Sequence, residues 1–151
     1  SVSGDRLDAA ADSLNFKNTF RKAGVEWENQ FVGVAKPVFV AGKWSHYVIQ
    51  YDNAKSEFKM YVNGVCPLDE TKDEGIIKRY ENASQVALGD LKFVDADKII
   101  IGGWLPKVVD GSNDEWMGSF TGNMDELRVY SRALTDAEVK ALYDAEVENL
   151  N

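Results

Sequence analysis

Residues 104–116 hold the densest set of chemistry-bearing side chains. Trp104 and Trp116 bracket the run Asp110-Gly111-Ser112-Asn113-Asp114-Glu115. Indole faces stack on the apolar face of a sugar ring, and an amide such as Asn113 pairs with its hydroxyls. Trp104, Trp116 and Asn113 are therefore the ligand-binding candidates. The run also offers three carboxylates and one amide oxygen within six residues. Those are the hard oxygen donors that calcium takes at about 2.3–2.6 Å. Gly111 lets such a stretch turn tightly. Asp110 and Asp114 are the metal-ligand candidates here, and Asp52, from the turn Asp52-Asn53, joins them if the two loops meet. The same composition also makes an ordinary solvated turn. A calcium-dependent rise in melting temperature separates the two readings.

Catalytic arrangements fare worse. A retaining glycoside hydrolase needs two carboxyls about 5–5.5 Å apart. The acidic pairs here are adjacent: Asp69-Glu70, Asp73-Glu74, Asp114-Glu115 and Asp125-Glu126. Neighbouring strand residues face opposite ways, so no such pair does that work alone. Carboxylates converging from different strands would be required. A Ser-His-Asp triad would have to use His46, the single histidine, and no G-x-S-x-G elbow exists. His46 reads as a packed, hydrogen-bonded residue of a strand. Cys66 is the only cysteine, so no intramolecular disulfide forms. It reads as a small buried or half-buried hydrophobe. No phosphate-binding glycine loop occurs. The expectation is a protein without catalytic residues.

The elements that must position these residues belong to one domain, covering residues 1–151. Hydrophobic residues make up 44% and charged residues 28%, which suits a globular chain with a sizeable core. There are 17 Lys and Arg against 25 Asp and Glu, a net charge of −8. An acidic chain repels phosphate backbones, so nucleic acid is not an expected partner. No apolar run approaches about 18 residues, so no membrane insertion is expected. The first residues, Ser1-Val2-Ser3-Gly4-Asp5-Arg6, contain no apolar signal core. Asn82-Ala83-Ser84 fits a glycosylation sequon.

Residues 1–26 carry little pattern, apart from a hint of a helical turn at Ala9-Ala10-Ala11-Asp12 and a weak alternation over 13–20. From Trp27 the chain reads as β, with Pro37 splitting 31–35 from 38–40. Residues 44–51 form a strand, bulky on both faces: Trp44, His46 and Val48 on one, Tyr47, Ile49 and Tyr51 on the other. Residues 57–63 alternate, with Phe58, Met60 and Val62 opposed to Lys59, Tyr61 and Asn63. Asn63-Gly64 then supplies a tight hairpin turn. Residues 67–84 read as a charged surface loop. Further strands are expected at 85–88, 98–101, 119–121 and 124–130. Asp125 is read as capping backbone N–H groups or meeting an arginine, with a calcium or ligand contact as the alternative. Thr135-Asp136-Ala137-Glu138 is a capping box. Val139, Leu142, Tyr143, Glu146 and Val147 follow at helical spacing, with Glu146 the one polar member. Many short strands closed by a helix predict an all-β antiparallel sandwich or jelly roll with a short C-terminal helix. Trp44, Val48, Tyr61, Ile100, Leu127 and Leu142 are the expected core.

Four stretches carry a resemblance. They are Gly42-Lys43-Trp44-Ser45-His46-Tyr47-Val48 with Tyr51-Asp52, then Phe58-Lys59-Met60-Tyr61-Val62-Asn63-Gly64, then Ile99-Ile100-Ile101-Gly102-Gly103, and finally FTGNMDELRVYSRALTDAEVKALY at residues 120–143. In this order and spacing they resemble the laminin-G-like group, specifically the bacterial "laminin G 3" type. That group belongs to the concanavalin A-like lectin/glucanase superfamily. The resemblance implies a concanavalin A-like jelly roll, and it raises calcium at a sandwich rim as a cofactor. Such domains place several strands before the Trp-x-His strand, so the N-terminal sheet is expected to be incomplete. The function it implies is a non-catalytic binding module of a secreted or surface-anchored bacterial protein, outer-membrane-associated, with a glycan as partner. The alternative is a structural or protein-interaction module docking on a neighbouring surface protein or domain. A glycoside hydrolase on the same fold is the weakest of the three.

Overall fold

The computed structural model describes residues 2–6, 13–19, 31–33, 39–40, 42–66, 89–90, 99–103 and 120–148. Residues 104–119, with the ligand and metal candidates Trp104, Asp110, Asn113, Asp114 and Trp116, lie outside the described residues. So do residues 67–88, with the expected strand at 85–88 and the sequon. The chain divides into two compact units, residues 1–91 with 131–151, and residues 92–130.

In the first unit, β1 (Val2–Arg6), β2 (Ser13–Thr19), β3 (Phe31–Gly33) and β4 (Phe39–Val40) form an antiparallel sheet. β1 pairs with β2 along its length, Gly4 opposite Phe16. β3 and β4 share the other edge of β2, at Lys17–Thr19 and Ser13–Leu14. Two of these strands fall where the sequence shows almost no periodicity.

The second ladder is β5 (Tyr47–Asp52) with β6 (Glu57–Val62), antiparallel and in register from Tyr47 opposite Val62 to Asp52 opposite Glu57. Asn63 and Gly64 have φ of 51° and 76°, and Val62 and Val65 exchange both backbone bonds across them. That is the two-residue hairpin turn expected of Asn-Gly. Phe58 and Met60 are fully buried on one face of β6. Tyr61, on the other face, is also buried, because the helix covers it.

The helix α1 (Asp136–Val147) begins as the sequence requires. The Thr135 hydroxyl accepts the Glu138 N–H, and the Glu138 carboxylate accepts the Thr135 N–H. Val139 is fully buried and forms a cluster with Tyr61 and Leu134. Val48, Cys66 and Leu142 are half-buried and pack against that cluster. The cysteine is thus a half-buried apolar contact.

Other expectations need correction. The ladder starts at Tyr47, so Trp44 precedes it and is 51% exposed. His46 likewise lies just before the strand. Residues 99–101 and 124–130 form no ladder. Glu126 has a φ of 51°, which breaks the alternation expected there. Leu127 is 70% exposed instead of buried. Ile100 and Leu142 are half-buried. Asp125 caps a backbone N–H, that of Glu126, at 2.8 Å.

Candidate functional site

β5 and β6 share a polar strip on the face that α1 covers: Gln50 opposite Lys59, and Asp52 opposite Glu57. Residues 133–136 enter the helix along this strip. Together with Lys55 they enclose an open groove of about 320 Å³.

Its lining is held by bonds from far along the chain. The Gln50 amide behaves like a peptide toward Leu134: its Oε1 accepts the Leu134 N–H and its Nε2 donates to the Leu134 carbonyl, both at 2.9 Å. Asp136 Oδ1 accepts from the Tyr61 hydroxyl at 2.7 Å and from Lys59 Nζ at 2.9 Å. Those two donors, Lys59 first, hold the Asp136 carboxyl below the usual carboxylate range. In return, Asp136 raises the Lys59 ammonium above its ordinary value. Burial, reinforced by the bond to Asp136, pushes the Tyr61 phenol well up, so it stays a donor. Arg132 grips Glu138 with both arms at 2.7 and 3.0 Å. That grip, with the two Thr135 contacts, lowers the Glu138 carboxyl to about 2.

Asp52, the one described member of the expected metal set, is engaged by its own turn. Its Oδ1 accepts the Ala54 and Lys55 N–H groups, and its Oδ2 lies 3.4 Å from Lys55 Nζ. Among the described residues, no group of three His, Cys, Asp or Glu is placed to hold a metal ion.

His46 is occupied at the other end of the helix. Its backbone is tied to Asn63 through the Asn63 side-chain oxygen and N–H. Its Nε2 lies 3.5 Å from Glu146 Oε2, and its ring centroid is 6.0 Å from that of Tyr143. Nδ1 is buried without a hydrogen-bond partner among the described residues. The polar member of the otherwise apolar helix face therefore has a function in docking: it meets His46.

No family model matches the chain, and no curated protein matches it. Among solved structures, the chain is similar to an S-layer domain-containing protein from Clostridium thermocellum, at 16% identity and a TM-score of 0.46. The match covers 94% of this chain and 63% of that one, so the chain spans less than two thirds of its neighbour. At this level the likeness decides neither fold nor activity. Among the described residues, no helix is long and apolar enough to cross a membrane.

Sequence reasoning missed the groove. Tyr61 and Lys59 share a face two residues apart, and an acid at the first helical position is a recognisable signal. Gln50 has no local signal, because its partner is 84 residues away.

Proposed function

We propose that the chain is a non-catalytic binding module of a secreted or surface-anchored bacterial protein, with carbohydrate as its ligand, on a laminin-G-like jelly roll. The observation that carries this reading is the polar groove beside Leu134. Gln50 is fixed by the Leu134 backbone, and Asp136 by Lys59 and Tyr61, so little ordering of these groups remains for a polyhydroxyl ligand to impose. The groove's volume falls at the small end of ligand pockets. Trp104, Trp116 and Asn113 remain the proposed stacking and hydroxyl-binding partners. Asp110 and Asp114 remain the proposed calcium ligands.

A glycan array run in calcium and in chelator tests this reading. Binding that Glu57→Gln and Lys55→Ala weaken supports the groove. Binding lost on Trp104→Ala or Trp116→Ala, with the groove variants unaffected, moves the site to the loop. An array without a hit removes carbohydrate.

A second reading, a protein-interaction module, is favoured by one observation. Phe120, Met124, Leu127, Val129 and Tyr130 are all exposed. Large exposed apolar runs mark interaction surfaces.

A further inference from the structure

We propose that the groove beside Leu134 takes a sugar that carries a protonated amine, with the Glu57 carboxylate as the partner of that amine. This rests on the carbohydrate reading of the groove and names the class of sugar.

Five charged side chains line the groove. Asp52, Glu57 and Asp136 face Lys55 and Lys59, so one negative charge is in excess. Four of the five are paired within the chain. Asp136 Oδ1 accepts from Lys59 Nζ at 2.9 Å, and Asp52 Oδ2 lies 3.4 Å from Lys55 Nζ. Glu57 is the fifth. Its charge adds to the field that raises Lys59, but among the described residues its carboxylate forms no hydrogen bond or ion pair. The neutral donors of the groove are already engaged: Gln50 Nε2 donates to the Leu134 carbonyl, and the Tyr61 hydroxyl to Asp136. What the groove has left over is a charged acceptor.

The ladder register points the same way. Glu57 stands directly opposite Asp52. Like charges in that position destabilise a β-pair. Asp52 is held by its own turn, where its Oδ1 accepts the Ala54 and Lys55 N–H groups. The Lys55 side chain is 65% exposed, so solvent screens its attraction to either acid. A side-chain choice that costs the fold without local compensation is expected at a ligand site. A cation beside Glu57 relieves the repulsion. The described residues gather no third metal ligand there, whereas an ammonium needs only hydrogen bonds to carboxylates. An acidic sugar meets the excess negative charge. A neutral N-acetyl sugar leaves Glu57 without a charged partner.

A chemical-shift titration of the full chain tests the proposal at about pH 6, where such an amine keeps its proton. The probes are the glucosamine disaccharide, its N-acetylated form and a glucuronate-containing disaccharide. The amine form is expected to bind about tenfold more tightly than the acetylated form, with the difference shrinking as salt is added. Glu57→Gln should abolish that preference. Glu148→Gln, which removes an exposed charge outside the groove, should keep it and so exclude a general attraction to the acidic chain. A preference that survives Glu57→Gln, or that Glu148→Gln weakens equally, overturns the proposal. Equal binding of the amine and acetylated forms discards the amine but leaves the carbohydrate reading standing. Silence from all three probes overturns the proposal, and a glycan array without a hit removes the underlying reading as well.

Discussion

Around β5, β6 and α1, partners come from far along the chain: Gln50 binds Leu134 across 84 residues, and Lys59 reaches Asp136 across 77. Across residues 124–130, Glu126 pairs with Arg128 two residues away, and Asp125 caps its neighbour. The first region buries Phe58, Met60, Tyr61 and Val139; the second exposes Met124, Leu127, Val129 and Tyr130. Both contain strand-like apolar patterns. Periodicity states which residues share a face, but a distant element decides whether that face is covered. In the first region, the capped helix supplies the cover on the Tyr61 face.

The sharpest way to break this contrast is to remove the same kind of side chain from each region. Phe58→Ala should destabilise the fold by about 3–5 kcal/mol, read by urea unfolding, because a buried ring leaves a cavity. A loss under about 1 kcal/mol would mean the site collapses around the change or is not buried. Gly64→Ala comes next. Its φ is 76°, and an added Cβ would lie 3.0 Å from Tyr143 Cδ1. The strained backbone costs about 1–2 kcal/mol, with a further penalty if Tyr143 cannot yield. Thermal melts that leave Gly64→Ala unchanged would contradict the close helix approach.

Several features of the first region were legible in the sequence because their rules are local. The Asn63-Gly64 turn, the Thr135–Glu138 box and the helix face with Glu146 each follow from spacing alone. The buried Tyr61 was not legible: alternation put it opposite Phe58 and Met60, and it is α1 that covers its face. Trp44 and Leu127 mislead in the reverse sense. Their size suggests a core, but one precedes the ladder and the other follows a left-handed residue. Gln50 shows the deeper limit, since a side-chain amide that mimics a peptide leaves no pattern around itself. The ligand candidates in 104–119 lie outside the described residues, so the groove and not that loop carries the structural part of the functional reading.

Smaller effects sharpen the comparison at the helix start. Thr135→Ala should cost about 1 kcal/mol, the usual value of an N-cap. Its circular-dichroism melt should shift down accordingly. Acid should act through Asp136. Its native carboxyl titrates below the ordinary value, so its pairing with Lys59 and Tyr61 stabilises the fold fully above the unfolded-chain pKa, near 3.9. That contribution fades as pH falls through the lower native value. Asp136→Asn should flatten this part of the acid limb, with a small effect because the side chain is 69% exposed. An unchanged limb would place the acid sensitivity elsewhere. Leu127→Ala, the counterpart of Phe58→Ala, should change monomer stability by less than about 0.5 kcal/mol.

Amide hydrogen exchange on dilute, monomeric protein tests the division between the two regions most directly. Stability differs between parts of a chain, and exchange reads it segment by segment. Strong protection is predicted for Tyr47–Asp52, Glu57–Val62 and Asp136–Val147, with fast exchange across residues 124–130. Protection of residues 124–130 equal to that of β6 would contradict the account, because it would show a covered strand where an open surface is described.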